Sequence, residues 1–149
     1  MQQYLYLLVA VVSGIMLAVQ APLNSELGRV VKSPVYGALL SFLMGLLVLL
    51  GYCLLSSNVQ MGNVRAALQM PWYYWAGGVL GAFYVAAVIL LAPRLGVALT
   101  FGLSVAGQMV FGLLIDHYGW LGIPAHTVNW PRLLGVALII GGVVLIRAN

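Results

Sequence analysis

Apolar residues in this chain run in blocks, with no two-residue alternation. Five blocks stand out, at residues 4–21, 34–55, 72–91, 96–118 and 133–146. About 20 helical residues cross a ~30 Å hydrocarbon core, and most of the blocks have that length. The last, of 14 residues, must borrow flanking positions or tilt little. The dyad pattern of a membrane β-barrel strand is absent. The pattern therefore predicts an all-α integral membrane protein with five transmembrane helices in a single domain over 1–149. The breaks, at 22–33, 56–71, 93–94 and 119–132, leave no room for an extramembrane domain, so function must reside within the helices or at their ends. The first block has no basic residue ahead of it and no small-residue cleavage site after it, so it is expected to be retained as the first helix.

Composition agrees. Hydrophobic residues make up 64% of the chain and charged residues 5%, and the mean hydropathy is +1.10. A soluble domain carries about 25% charged residues; eight charges cannot solvate this surface, and the bilayer must cover it. The net charge of +4 does not point to nucleic acid, because Arg29, Lys32, Arg65, Arg94, Arg132 and Arg147 stand singly between apolar blocks. They read as membrane-flank charges. Five crossings place Arg65 and Arg132 on the N-terminal face and the other four basic residues opposite, a weak bias toward N-terminus out and C-terminus in. Trp72, Tyr73, Tyr74 and Trp75, with Tyr118, Trp120 and Trp130, are expected at headgroup level. Cys53 has no intrachain partner and reads as packing.

Polar residues inside the blocks carry the candidate chemistry. Ser13, Leu17, Gln20 and Asn24 share one helical face. Pro22 interrupts that stretch: either it opens a discontinuous helix that exposes a backbone carbonyl beside two amides, or it ends the helix and Asn24 caps the next segment. Thr100, Ser104 and Gln108, four apart, form a second stripe that must face protein or a water-filled cavity. Gln20, Asn24, Ser104 and Gln108 are thus expected to bind solute, with Ser13 and Thr100 lining the cavity. Interhelical hydrogen bonding is the alternative for Thr100 and Ser104. Glu26 and Asp116 are the carboxylates, and each is a candidate proton or cation site against a plainer role: partner of Arg29 for Glu26, a fixed polar turn for Asp116. His117 and His126 lack further ligands, so no metal is expected, nor any cofactor. No nucleophile triad, phosphate loop or CxxC pair is present, which argues against an enzyme. The rows Gly37-Ser41-Gly45, Gly77-Gly81 and Ala137-Gly141 suit close helix packing within the chain or between subunits.

The runs Gln20-Ala-Pro-Leu-Asn24-Ser-Glu-Leu27-Gly28-Arg29, Ala106-Gly107-Gln108, Ile115-Asp116-His117-Tyr118-Gly119 and Arg132-Leu-Leu-Gly135 together resemble the short YdcZ-like members of the drug/metabolite transporter superfamily. The resemblance covers nearly the whole chain. It implies a five-helix unit equivalent to half of a ten-helix inverted-repeat transporter, paired with a second unit, often oppositely oriented. Gln20, Asn24, Gln108 and Asp116 match the pattern. Small four-helix multidrug exporters differ in placing a buried carboxylate where this chain has Gln20.

The expected function is alternating-access transport of a small polar organic solute in a bacterial inner membrane; the rival is a non-transporting membrane subunit that stabilises a partner. Depth enters the expected assembly. Gln20 lies roughly 24 Å from the N-terminal face and Gln108 about 10 Å from it, some 14 Å apart, but within about 4 Å of one level if a second copy is inverted. An antiparallel homodimer, or pairing with an oppositely oriented paralogue, is therefore expected.

Overall fold

A computed structural model describes residues 2–56 and 61–148. It contains six α-helices among the described residues: α1 Gln2–Val30, α2 Pro34–Leu55, α3 Met61–Leu68, α4 Ala76–Leu95, α5 Val97–Tyr118 and α6 Trp130–Ala148. Short 3-10 turns lie at Trp72–Trp75 and Trp120–Gly122. Among the described residues, five spans are long and apolar enough to cross a membrane: α1, α2, α4 with the turn before it, α5 and α6. The protein is an all-α membrane protein.

Helix ends depart from the sequence expectation in four places. Helix α1 does not stop at Ala21; it continues through Pro22 for 29 residues, so the discontinuous helix and the Asn24 cap are both absent. A proline removes one i→i−4 bond, which a membrane helix tolerates where neighbouring groups or local adjustment of the helix re-satisfy the freed carbonyl. Helix α4 likewise runs through Pro93 to Leu95, and the break falls at Gly96, whose φ of +83° is hostile to residues with a Cβ. The last span has 19 residues, not 14, because Trp130 to Arg132 join it at one end and Arg147 and Ala148 at the other. The short helix α3 was not expected within the 56–71 break, of which residues 57–60 lie outside the described part.

The chain divides into two compact units, up to Pro93 and from Arg94 onward. In the first, α1 and α2 form a hairpin closed by a tight turn. The Ser33 amide donates to the Gly28 carbonyl (2.9 Å) and the Lys32 amide to that of Arg29 (3.2 Å), with Lys32 left-handed at φ 54°. This is the 6→1 and 5→2 pairing of a Schellman motif. Ser33 then caps α2, accepting from the Tyr36 amide, and Pro34 occupies its first position. Beyond the turn, Gly28 and Gly37 bring the two backbones together: a Cβ on Gly37 would stand 2.7 Å from the Gly28 Cα. Ile89 of α4 fills the remaining space, 2.6 Å from a Cβ on Gly28. Buried Ala21, Asn24, Ala38 and Ile89 belong to the same end of the unit, and Ser25 donates to the Ile89 carbonyl at 3.4 Å.

That last bond has a specific origin. The proline at 93 has no N–H for the carbonyl four residues back, and that carbonyl is Ile89's. Ser25 supplies the missing donor from the neighbouring helix, which is how serine re-satisfies backbone groups freed by proline in membrane helices.

The second unit is the α5–α6 hairpin. Gly102 takes the Val143 side chain so closely that a Cβ there would lie 2.9 Å from its Cγ2. Helix α5 ends at Gly119, left-handed at φ 64°, with its amide on the Ile115 carbonyl. Of the small-residue rows, Gly37 and Gly81 meet a neighbour, whereas nothing lies within 4 Å of a Cβ built at Gly45, Gly77 or Gly141.

Candidate functional site

Continuity of α1 through Pro22 keeps Ser13, Leu17, Gln20 and Asn24 on one face, as the sequence spacing requires. Their environments differ. Ser13 is exposed and donates back to the Val9 carbonyl at 2.8 Å, so its hydrogen-bonding demand is met within its own helix. Asn24 is 9% exposed, one turn from the Gly28 contact. Gln20 lies where two grooves of the first unit meet. One, of about 360 Å3, runs between α1 and α2 past Ser41, Phe42, Gly45 and Leu46 to Val85 of α4. The other, of about 530 Å3, follows α1 past Ser13, Met16 and Leu17.

The α5 stripe is also differentiated. Thr100 is buried, at 2% exposure, and donates to the Gly96 carbonyl at 2.8 Å; Ser104 donates to the Thr100 carbonyl at 2.9 Å. Both hydroxyls therefore bond along their own helix by the i→i−4 route, and the interhelical bonds that the sequence allowed are not made among the described residues. Gln108 is exposed.

Longer helices also change the depths. With α1 running to Val30, Gln20 sits about 15 Å from the helix end, and Gln108 sits about 15 Å from the Tyr118 end of α5. Gln108 is therefore central in α5, whereas Gln20, about 27 Å from Gln2, lies nearer the Val30 end of α1.

The two carboxylates are both in ion pairs. Glu26 meets Arg29 through two contacts, one of them Nε–H to Oε2 at 2.8 Å. Both side chains are largely exposed in the last turn of α1, the solvated pairing that sequence offered as its plainer role. Asp116 pairs with Arg132 across the α5–α6 hairpin. Arg132 also donates from Nη1 to the His126 carbonyl at 3.1 Å, and the His126 amide donates to the Asp116 carbonyl at 2.7 Å. The Val128 amide donates to His117 Nδ1 at 3.3 Å, and Asn129 caps α6 through the Arg132 amide (3.1 Å). Both histidines thus serve the loop, and no group of three metal-ligating side chains exists among the described residues.

Sequence reasoning missed Ser25, whose role needs Pro93 as well, and Arg132 as the partner of Asp116. The signal for the second was present: Asp116 and Arg132 bracket a loop expected to return across one membrane face.

Comparison with known proteins converges on one family. The family described as "Putative inner membrane exporter, YdcZ" matches residues 5–145. The chain is 26% identical over 149 residues to the inner membrane protein YdcZ of Escherichia coli (strain K12), covering 100% of this chain and 99% of that one. No solved structure matches it. The family match extends from the first turns of α1 to the last turns of α6, and the chain belongs to the YdcZ family of membrane proteins.

Proposed function

We propose that the protein is a carrier for a small polar organic solute in a bacterial inner membrane, working by alternating access as a pair of five-helix units, each equivalent to half of an inverted-repeat transporter. Gln20 carries the reading. It places an amide with two donors and two acceptor sites within the membrane span of α1 on the wall of an apolar groove of about 360 Å3, and it makes no hydrogen bond among the described residues. An amide kept in apolar surroundings without partners costs a few kcal/mol, a cost that a solute bearing hydroxyl, amide or carbonyl groups offsets on binding. Asn24, one turn on, supplies a second amide, and Ser104 and Gln108 provide the corresponding polar positions in α5. Glu26 stays an electrostatic aid, since Arg29 already holds it in the last turn.

The test is uptake into proteoliposomes across sugars, nucleosides, amino acids and organic cations. Saturable flux that shows countertransport identifies a carrier and not a channel. Gln20→Leu should abolish that flux while the protein still inserts and melts normally. Unaltered half-saturation in the variant would remove Gln20 from the site, and absence of flux for every solute from well-incorporated protein would favour a non-transporting subunit.

A further inference from the structure

The Asp116–Arg132 pair is only partly covered, with side-chain exposures of 30% and 35%. It stands at one end of a groove of about 380 Å3 between α5 and α6. Met109, Leu113, Val136 and Ile139 form the walls, and Gly112 and Gly135 leave the floor empty: nothing lies within 4 Å of a Cβ built on either glycine. Met109 and Ile139 are exposed. An open apolar slot therefore ends on a cation and an anion set side by side. Arg132 is held by the His126 carbonyl and by the Asp116 carboxylate, and the Asp116 backbone carbonyl accepts from the His126 amide. The stacked Tyr118 and Trp120 rings, 5.2 Å apart, and Trp130 at the start of α6 mark this end as headgroup level.

We infer that the groove seats one hydrocarbon chain of a bilayer phospholipid whose headgroup is phosphoethanolamine, with the phosphate against Arg132 and the ammonium against Asp116. Arg132 uses Nη1 and Nη2 in the contacts above, and its five N–H donors leave others for a phosphate oxygen. Asp116 engages Arg132 through Oδ2, so Oδ1 is open to an N–H donor. An anionic head without a cation would bring uncompensated negative charge against Asp116. A quaternary ammonium has no N–H to give the carboxylate. The apolar slot selects a tailed molecule over the free head.

The experiment uses the full chain and reads bound lipid by native mass spectrometry, independently of any transport. Protein reconstituted in bilayers of equal parts phosphatidylethanolamine, phosphatidylcholine and phosphatidylglycerol should retain phosphatidylethanolamine about tenfold over the other two. Soluble phosphoethanolamine at millimolar concentration should not displace it. Asp116→Asn should bring retention down to that of phosphatidylcholine. Gly135→Leu, which fills open space and leaves the ion pair intact, should lower retention of all three. Equal retention of the three lipids, or displacement by free phosphoethanolamine, would overturn the assignment. So would a Gly135→Leu protein that keeps its lipid but loses its oligomeric state, since the groove would then be a seam between copies.

Discussion

Single positions in the α1–α2 turn carry consequences out of proportion to their size. Lys32 holds a left-handed conformation that costs a residue with a Cβ roughly 1 kcal/mol relative to glycine. Lys32→Gly should therefore raise the melting temperature in detergent, an outcome to be read against a Lys32→Ala control that keeps the strain. Gly37 has the opposite character, because a Cβ there meets the Gly28 backbone, which cannot rotate away as a side chain could. Gly37→Ala should destabilise by about 1–3 kcal/mol. Glu26 stands at the mild extreme: its pair with Arg29 is exposed, and such pairs contribute little. Glu26→Gln should melt as the parent does and still accumulate solute under a pH gradient. Loss of accumulation with intact solute binding would instead make Glu26 the coupling residue.

At the level of helices, proline is where sequence pattern and structure part. The apolar blocks located all five spans, since lipid imposes their length and composition directly. Pro22 and Pro93 read as breaks because the sequence does not reveal which neighbour will satisfy the carbonyl a proline frees. For Pro93 that neighbour is Ser25, more than sixty residues earlier, and no local window contains the pair. The candidate site was legible to a similar degree. The spacing of Ser13, Gln20 and Asn24 gave their common face, but the inward bonding of Ser13, Thr100 and Ser104 depends on rotamers that spacing does not encode. The Ser25–Pro93 link predicts a coupled pair of substitutions. Ser25→Ala should cost about 0.5–1.5 kcal/mol by leaving the Ile89 carbonyl without its donor. In a Pro93→Ala background, where an amide at 93 regains that carbonyl, the same change should cost measurably less, and equal costs in both backgrounds would show that the Ser25 hydroxyl is not the carbonyl's donor.

For the whole molecule, the question raised by the proposed function is how a five-helix chain would complete a carrier built from inverted repeats. An odd number of crossings places the two ends of one chain on opposite faces, so a parallel copy cannot reproduce an inverted repeat, and an inverted one can. Insertion both ways requires a weak orientation signal. Two basic residues, Arg65 and Arg132, face four, Arg29, Lys32, Arg94 and Arg147, and Arg132 is already neutralised by Asp116 while Arg29 is paired with Glu26. Among the described residues the remainder outside ion pairs is one against three, a difference of two again, small for a rule that counts lysine and arginine over short loops. The empty surfaces at Gly45, Gly77 and Gly141 leave room for close approach by another helix. The expected outcome is a dual-topology homodimer. Single cysteines near each terminus, in a Cys53→Ala background, should both react with an impermeant maleimide added to intact cells, each to about half the extent seen after lysis. Two added lysines in the loop before α2 should drive the population to one orientation and abolish flux, and coexpression with a variant biased the other way should restore it. If one terminus labels fully and the other is wholly protected until lysis, the inverted partner must be a different protein or the pair must be parallel.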